Sequence, residues 1–423
     1  MIRNGSGLKN SAARLEAVAR QSGPQAAYNL LLRGEVASGW RRPSVAIYDH
    51  SLHLIGGGQK YGCTMAKALQ DDFDITLLAN RPVSLDTLME WYGLDLSRCS
   101  VKIVPLDRFG QTERNQIDPG LVSARTDNPF EAVSRESGNY DMFVNASMLE
   151  MVYPLSNVSL FVCHFPERSK GAYFYVHHYE HLIYNSLYGA EWISKKWHIS
   201  PSHHLYPPVD MEPVDSISPP KDKIILSVAR FETGGSKQQA EMIDAFQGLR
   251  TRFENDLEGW KLILCGGSSA SNPYLEKLQQ TLHAQSGVPV ELKINVPLSE
   301  LKQLYSRSAI FWHLCGLGQT NPAHVEHFGM STVEAMQNGC VPIVFDGGGQ
   351  REIVEHGSSG YRFASIRELS DRTVKVIRDQ NLRDRLSRAA HERSKLFSES
   401  VFTANVRQLF KHLADEYAQG EPL

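Results

Sequence analysis

Cysteines are few in this sequence and widely spaced. The six cysteines stand at positions 63, 99, 163, 265, 315 and 340, and no two of them form a C-x-x-C pair. This spacing argues against a disulfide scaffold and against a structural zinc site. Reduced thiols of this kind predict a cytoplasmic protein.

Long apolar runs are also missing. No stretch approaches the roughly 20 consecutive apolar residues that cross a bilayer, and the first 20 residues lack the apolar centre of a secretory leader. We therefore expect a soluble or peripheral protein rather than an integral membrane protein.

Positive charge is not in excess. The 44 lysines and arginines are matched by 47 aspartates and glutamates, which gives a formal net charge of −3. A chain without a global positive field does not hold a polyanion through counterion release, so we expect no nucleic-acid partner. A local basic pocket is compatible with this balance.

What the sequence does contain is a repeated alternation of short apolar runs and helical segments, without an internal repeat. Such alternation is typical of parallel sheets covered by helices. It starts at SVAIYD, stops at the proline-rich segment between Pro207 and Pro220, and restarts at KIILSVARF. We predict four parts: an N-terminal extension (1–40), two Rossmann-like doubly wound domains (41–210 and 211–395), and a C-terminal helix that packs back on the first domain (396–423).

In such sheets, ligands bind beyond the carboxyl ends of the strands, where helix N-termini favour phosphate. The loop Gly56, Gly57, Gly58 follows the first predicted strand and lets backbone N–H groups approach an anion closely. A tight turn without a ligand is the alternative. Arg230 ends a later strand and Lys237 precedes a helix, so the two cations can converge on a diphosphate. Two solvated surface cations are the alternative there.

Two glutamates stand eight positions apart in the segment EHFGMSTVEAM. Glu326 precedes a predicted helix and Glu334 lies within it, so one carboxylate can face a sugar ring while the other accepts hydrogen bonds from ribose hydroxyls. A helix-terminal acid and a surface residue are the alternatives. His313 ends a strand on the same side and is either a nucleotide contact or a buried, satisfied histidine.

The segment EHFGMSTVEAMQNGCVPIVFDGGGQREIVEHGSSGYRF resembles the donor-site signature of glycosyltransferase family four, which are retaining enzymes of the GT-B fold. The resemblance extends from about Val45 to Phe410 and includes the glycine loop, the strand-ending His164 and the Arg230 and Lys237 pair. The strings CHFPE and LYPPVD are also similar to the eukaryotic mannosyltransferases that extend the lipid-linked oligosaccharide.

The resemblance implies a role for each matching residue. Glu326 contacts the transferred sugar, Glu334 holds the ribose hydroxyls, Arg230 and Lys237 clamp the diphosphate, and His164 hydrogen-bonds the donor sugar. It also implies backbone contacts to the donor from Phe328, Gly329 and Met330. Gly57 and Gly58, in the loop that lines the acceptor side, are counted among the donor-binding residues as well. One departure concerns the reach of Lys237, because six residues separate it from Arg230 where five are commoner in the family.

Together these features imply two Rossmann-like domains that face a cleft, with C-terminal helices crossing back. The expected reaction transfers a sugar with retention from a nucleotide-diphosphate donor to a hydroxyl of a glycan, a lipid-linked or a small acceptor, with no cofactor and no required metal. Cations at the departing phosphate stabilise the transition state directly. The alternatives are a non-catalytic subunit that binds a nucleotide sugar and a nucleotide-sugar epimerase on the same fold.

Three further patterns carry no site in our interpretation. Asp72 and Asp74 spell a D-x-D metal motif, but they lie in a polar turn that enters a strand. His177, His178 and His181 have no acidic or cysteine ligands beside them. The aromatic segment around them, GAYFYVHHYEHLIYNSLYGAEWISKKWH, is either an ordinary amphipathic helix or a contact with a lipid-linked acceptor or the cytoplasmic face of a membrane.

Overall fold

The structure is a computed structural model that describes residues 16–20, 41–106, 128–168, 171, 173–211, 221–284 and 287–419. Most of the predicted extension over 1–40 lies outside the described residues. The chain divides into two compact units. The first comprises Met1–Asn185, Gly189–Pro208 and Phe402–Leu423, and the second comprises Ser186–Tyr188 and Val209–Val401.

The first unit is built on a seven-stranded sheet in which every strand pairs in parallel. Its order is β3-β2-β1-β4-β5-β6-β7, so the order reverses between β1 and β4. The central strands are buried on both faces, as expected when helices cover both sides. The strands are β1 (Ser44–Tyr48), β2 (Asp74–Ala79), β3 (Ser100–Ile103), β4 (Met142–Asn145), β5 (Val158–Cys163), β6 (His181–Tyr184) and β7 (His203–His204).

The second unit repeats this plan with six parallel strands in the order β10-β9-β8-β11-β12-β13. Here the order reverses between β8 and β11. Such a reversal opens a crevice at the carboxyl ends of the two strands, which is where doubly wound domains bind ligands. The strands are β8 (Asp222–Val228), β9 (Lys261–Gly266), β10 (Val290–Ile294), β11 (Ser308–His313), β12 (Val341–Phe345) and β13 (Tyr361–Phe363).

Twelve α-helices of four residues or more are found in 41–419, within the described ranges. In chain order they are α1 (Gly57–Leu69), α2 (Leu85–Tyr92), α3 (Glu131–Ser137), α4 (Leu187–Trp197), α5 (Gln239–Arg252), α6 (Pro273–Ala284), α7 (Leu298–Arg307), α8 (Met330–Gln337), α9 (Gln350–Ile353), α10 (Ile366–Arg378), α11 (Gln380–Ser394) and α12 (Glu399–Gln419).

The C-terminal helix α12 belongs to the first unit. Its apolar face follows the helical period predicted from the sequence and lies in one core cluster with residues of β1, β2, β4 and α1. Tyr417 also donates a hydrogen bond of 2.8 Å to the buried Asp141, and Arg407 donates one of 2.7 Å to the carbonyl of Ala68. The residues that share this core are Phe402, Val406, Phe410, Leu413 and Tyr417.

The two doubly wound domains agree with the predicted fold class, and most strands fall where the apolar runs predict them. The helical interpretation of the aromatic segment is wrong for its first half. That half forms a 3-10 turn at Val176–His178 and strand β6, and only α4 is an α-helix. The reason is tertiary, because Leu182 and Ile183 are buried in the sheet between β5 and β7.

All six cysteines lie within the described residues as buried thiols. Among the helices of the described ranges, none is both long and apolar enough to cross a bilayer. In the same residues, no group of three or more His, Cys, Asp or Glu side chains could hold a metal ion.

Candidate active site

The crevice between β8 and β11 of the second unit holds a compact cluster of charged groups. Lys237 lies one residue before the N-cap of α5, and His313 is the last residue of β11. Both side chains reach Glu326, which lies in the loop between β11 and α8. The Lys237 Nζ is 3.0 Å from Glu326 Oε2, and His313 Nε2 is 3.3 Å from the same oxygen. The sequence pattern predicts all three as site residues but does not predict their mutual contact.

The cluster is largely withdrawn from solvent. The side chains of Lys237 and Glu326 are 22% and 19% exposed, and His313 is buried. Burial alone would raise the pKa of the Glu326 carboxyl, but the Lys237 ammonium and the hydrogen bond from His313 outweigh it and hold that pKa well below its usual range. Burial opposes the charged form of Lys237, yet Glu326 raises the Lys237 pKa above its ordinary value. The pair is therefore ionised at neutral pH.

Cys315 is the fourth member of the cluster. Its Sγ lies 3.9 Å from Lys237 Nζ, and burial raises the pKa of this thiol to about 12. A thiol with such a pKa is neutral at physiological pH and is a poor nucleophile. Cys315 therefore fills space beside Lys237 rather than supplying charge.

Glu334 lies in α8, and its carboxylate accepts a hydrogen bond from a residue of α7. The hydroxyl of the fully buried Tyr305 donates a hydrogen bond of 2.6 Å to Glu334 Oε2. Burial and the neighbouring carboxylate raise the pKa of Tyr305 well above its ordinary value, so the phenol stays a donor. One oxygen of Glu334 is thereby fixed, which orients the carboxylate.

The loop that carries Glu326 ends at Gly329, the N-cap of α8. Gly329 has φ +118°, which favours glycine, and its carbonyl accepts hydrogen bonds from the N–H groups of Thr332 and Val333. The ring of Phe328 is buried against Phe397, with centroids 5.7 Å apart. The backbone N–H groups at Gly329 and Met330 form the positive end of the helix.

A second glycine triplet, Gly347 to Gly349, holds this loop in place; it has no predicted role in the sequence. Gly348 has φ +58°, and a Cβ at this position would overlap the carbonyl oxygen of Glu326. Gly349 donates a hydrogen bond of 2.9 Å to that same oxygen, and its own Cβ would overlap the Cα of Phe328. The backbone of Glu326 is thus held by a loop that only glycine can form.

Arg230 contacts a different partner. It lies two residues beyond the end of β8, its side chain is 79% exposed, and its guanidinium pairs with Glu232 at 2.9 Å. Arg230 and Lys237 thus have different ion-pair partners, and an exposed arginine can reorient at little cost. The role of Arg230 stays a prediction.

The first unit holds the remaining predicted residues at the carboxyl end of its own sheet. His164 follows β5, and its Nδ1 lies 3.0 Å from Asn185 Nδ2. Gly56 is the N-cap of α1, Gly57 opens the helix, and a Cβ on Gly58 would lie 3.6 Å from His164 Nε2. The glycine loop and His164 are therefore neighbours, although their roles stay predictions.

Comparison with known proteins supplies the family. Residues 210–393 match the family model described as glycosyl transferases group 1. This segment, which is less than half of the chain, is similar to the domain that defines the group 1 glycosyltransferases. It contains Arg230, Lys237, His313, Glu326 and Glu334, so the resemblance recognised in the sequence is confirmed.

Curated relatives are similar over about half of the chain. An alpha-1,3/1,6-mannosyltransferase of Homo sapiens is 30% identical over 237 residues, covering 51% of this chain and 53% of its own length. A GDP-Man:Man(3)GlcNAc(2)-PP-Dol alpha-1,2-mannosyltransferase of Dictyostelium discoideum is 25% identical over 227 residues, covering 50% and 42%. The chain thus spans about half the length of these relatives.

Solved structures match over most of the chain and show its fold. Anabaena HepE in complex with UDP and glucose has a TM-score of 0.66 at 16% identity, covering 88% of this chain and 100% of its own. Sucrose-phosphate synthase from Thermosynechococcus elongatus has a TM-score of 0.65 at 16% identity, covering 88% and 99%. The two-domain GT-B fold is confirmed.

Proposed function

We propose that the chain is a glycosyltransferase that moves a sugar from a nucleotide diphosphate to a hydroxyl of a glycan, with retention of the anomeric configuration and without a required metal. The observation that carries the proposal is the ionised pair of Lys237 and Glu326, which lies at the strand-order reversal of the group 1 glycosyltransferase domain. A diphosphate is the ligand class that a cation beside a helix N-terminus favours.

The reaction uses the two charges for different tasks. As the anomeric bond breaks, negative charge grows on the departing phosphate, and Lys237 with a reoriented Arg230 stabilises it. Glu326 lies against the sugar, where oxocarbenium character develops, while Glu334 holds the ribose. His313 keeps the Glu326 carboxylate in place through its Nε2. His164, Gly57 and Gly58 are assigned to the donor sugar and the acceptor.

A lipid-linked glycan is the acceptor class we favour. The supporting observation is that the similar enzyme of Dictyostelium discoideum bears the name of a mannosyltransferase that acts on a dolichol-linked glycan. We place the reaction on the cytoplasmic side of the membrane, because six buried thiols suit a reducing compartment.

A donor panel tests the proposal. The purified protein is incubated with GDP-mannose, UDP-glucose and UDP-N-acetylglucosamine, with and without EDTA, together with a lipid-linked chitobiose extended by mannose. Transfer is followed by released nucleoside diphosphate, and the anomeric configuration of the product is read by NMR. We expect transfer from one donor, retention, and no effect of EDTA.

A matched pair of variants makes the test specific to the site. Lys237→Ala should abolish transfer, whereas Lys261→Ala, which removes an exposed ion pair with Glu291 in the same unit, should leave it intact. Binding of a nucleotide sugar without transfer would favour the non-catalytic subunit. Conversion of the donor sugar into its epimer without an acceptor would favour the epimerase.

A further inference from the structure

Gln350, the first residue of α9, is a fully buried amide with unmet hydrogen-bonding capacity. Its exposure is 0%, and neither Nε2 nor Oε1 has a hydrogen-bond partner within the described part of the chain. A buried polar group without partners destabilises the fold, so such groups are rare and usually have a specific reason. An apolar side chain of the same length would avoid that cost.

The position of this amide connects it to the active site. A Cβ on Gly329 would overlap Gln350 Nε2 and would come within 3.1 Å of Cδ and 3.3 Å of Oε1. The amide therefore lies against the Cα of the residue that caps α8. Because Gly329 has no side chain, only backbone stands between Gln350 and the start of the helix.

The start of α8 has features of a ligand-binding end. The helix has eight residues, its N-cap makes no side-chain hydrogen bond, and its first turn carries no acidic residue among the described side chains. The loop before it carries Glu326, and the neighbour of Gln350, Gly349, is hydrogen-bonded to the Glu326 carbonyl. The amide, the start of α8 and the backbone of Glu326 therefore form one local unit.

The donor and acceptor atoms of an amide limit which ligand groups can be its hydrogen-bond partners. Gln350 offers a donor at Nε2 and an acceptor at Oε1, and both lack a partner within the described residues. Phosphate oxygens only accept hydrogen bonds, so they could satisfy Nε2 alone. A sugar hydroxyl both donates and accepts, and vicinal hydroxyls match both atoms of an amide.

We propose that Gln350 is a specificity-determining residue for the glycosyl group of the donor. When that group enters at the start of α8, the side-chain amide of Gln350 rotates past Gly329 and hydrogen-bonds a sugar hydroxyl. This inference rests on the proposed function, because it assumes that a nucleotide sugar binds at Glu326. It adds a residue of α9 that recognises the sugar rather than the nucleotide.

The test compares two buried glutamines of the same unit. Gln350→Met keeps the length of the side chain and removes both polar atoms. Gln337→Met makes the same change at a satisfied site, since Gln337 accepts from the N–H of Met211 and donates to the carbonyl of Val209. Gln350→Met should melt at or above the wild-type temperature, and Gln337→Met should melt below it.

Titration calorimetry then separates the sugar from the nucleotide. The probes are GDP-mannose and GDP-glucose with GDP as reference, or UDP-glucose and UDP-galactose with UDP if the wild type prefers uridine. Gln350→Met should bind the preferred nucleotide sugar about tenfold more weakly, lose discrimination between the two epimers, and bind the free nucleoside diphosphate within about twofold of the wild type.

Three results would overturn the inference. Equal affinity of wild type and Gln350→Met for the nucleotide sugar would overturn it while leaving the proposed function standing. Equal weakening toward the sugar nucleotide and the free diphosphate would also overturn it, because the amide would not read the sugar. If the wild type binds none of the probes, both the proposed function and this inference fail.

Discussion

Each sheet has a glycine triplet after one of its interior strands: Gly56 to Gly58 after β1, and Gly347 to Gly349 after β12. The two triplets differ in how strongly the surrounding structure requires glycine. In the first unit, Gly56 has an extended backbone, and a Cβ there would meet only the flexible end of Gln59, while a Cβ on Gly58 makes an ordinary contact with His164. In the second unit, Gly348 and Gly349 press against backbone atoms of the Glu326 loop. The second triplet is the one that geometry requires.

The side chains beside the two triplets differ in charge. Near the first, His164 and Asn185 form a hydrogen bond between a ring and an amide. Near the second, Lys237 and Glu326 form an ion pair that is mostly buried. Charge is expensive to bury unless it is paired. The buried ion pair therefore belongs to the second unit, and a neutral hydrogen-bonded pair belongs to the first.

The largest expected effect comes from removing the charge of Glu326 in the second unit. Glu326→Gln keeps the shape of the side chain but removes its charge, and we expect turnover to fall by about 10² to 10³, the usual cost of losing a preorganised electrostatic group. Asn185→Ala removes the hydrogen bond between Asn185 and His164 in the first unit, and it should lower turnover by at most about tenfold. The measurement is kcat under saturating donor. Equal losses in the two variants would contradict the comparison.

The second effect separates the two triplets by stability. Gly348→Ala combines a left-handed backbone with overlap on the Glu326 carbonyl, so we expect a loss of about 3 kcal/mol in the free energy of unfolding. Gly58→Ala lies in the first turn of α1 and should leave that free energy unchanged or raise it by up to about 1 kcal/mol. Urea denaturation measures both. A tolerated Gly348→Ala would mean that the Glu326 loop is not fastened as described.

Much of this architecture is predictable from the sequence, because buried parallel strands are nearly continuous apolar runs. Strands such as β1 and β8 carry that signal and fall where expected. The two-residue β7 and the three-residue β13 are too short to carry that signal, and β6 lies in the aromatic segment whose sequence favours a helix. Runs so short have no measurable period, and neighbouring strands rather than local sequence define them.

The site is predictable only in its components. The spacing of Glu326 and Glu334 is a local pattern and could be recognised. The contact of Lys237 with Glu326 joins residues 89 positions apart, and the fit of Gln350 against Gly329 joins two loops that follow different strands. No period or spacing encodes such contacts, because the strand order of the folded sheet creates them. A glycine triplet in the sequence likewise does not indicate which of its Cβ positions are blocked.

The third effect is a pH dependence of stability that belongs to the second unit. Because the Glu326 pKa is lowered in the folded state, the carboxylate contributes stability above its unfolded pKa, about 4.3, and loses it as pH falls through the lower folded value. Wild type should exceed Glu326→Gln by about 1–3 kcal/mol between pH 5 and 8, and the difference should shrink below about pH 4. Urea denaturation across this range measures the difference.

The control for that pH dependence is an exposed pair. Lys261 and Glu291 are 2.7 Å apart with side chains 38% and 44% exposed, so Glu291→Gln should change the free energy of unfolding by less than about 1 kcal/mol at any of these pH values. A difference between wild type and Glu326→Gln that stayed constant down to pH 3 would show that the Glu326 charge does not stabilise the fold.

The smallest effect distinguishes two fully buried tyrosines, one in each unit. Tyr61 donates a hydrogen bond of 3.1 Å to the carbonyl of Leu205, and Tyr305 donates one of 2.6 Å to the carboxylate of Glu334. Replacing either by Phe should cost about 1 kcal/mol of stability. Only Tyr305→Phe should also raise the KM for the donor, by a few fold, because only Glu334 is assigned to the ribose. A raised KM in Tyr61→Phe, or an unchanged KM in Tyr305→Phe, would show that Glu334 orientation does not matter to donor binding.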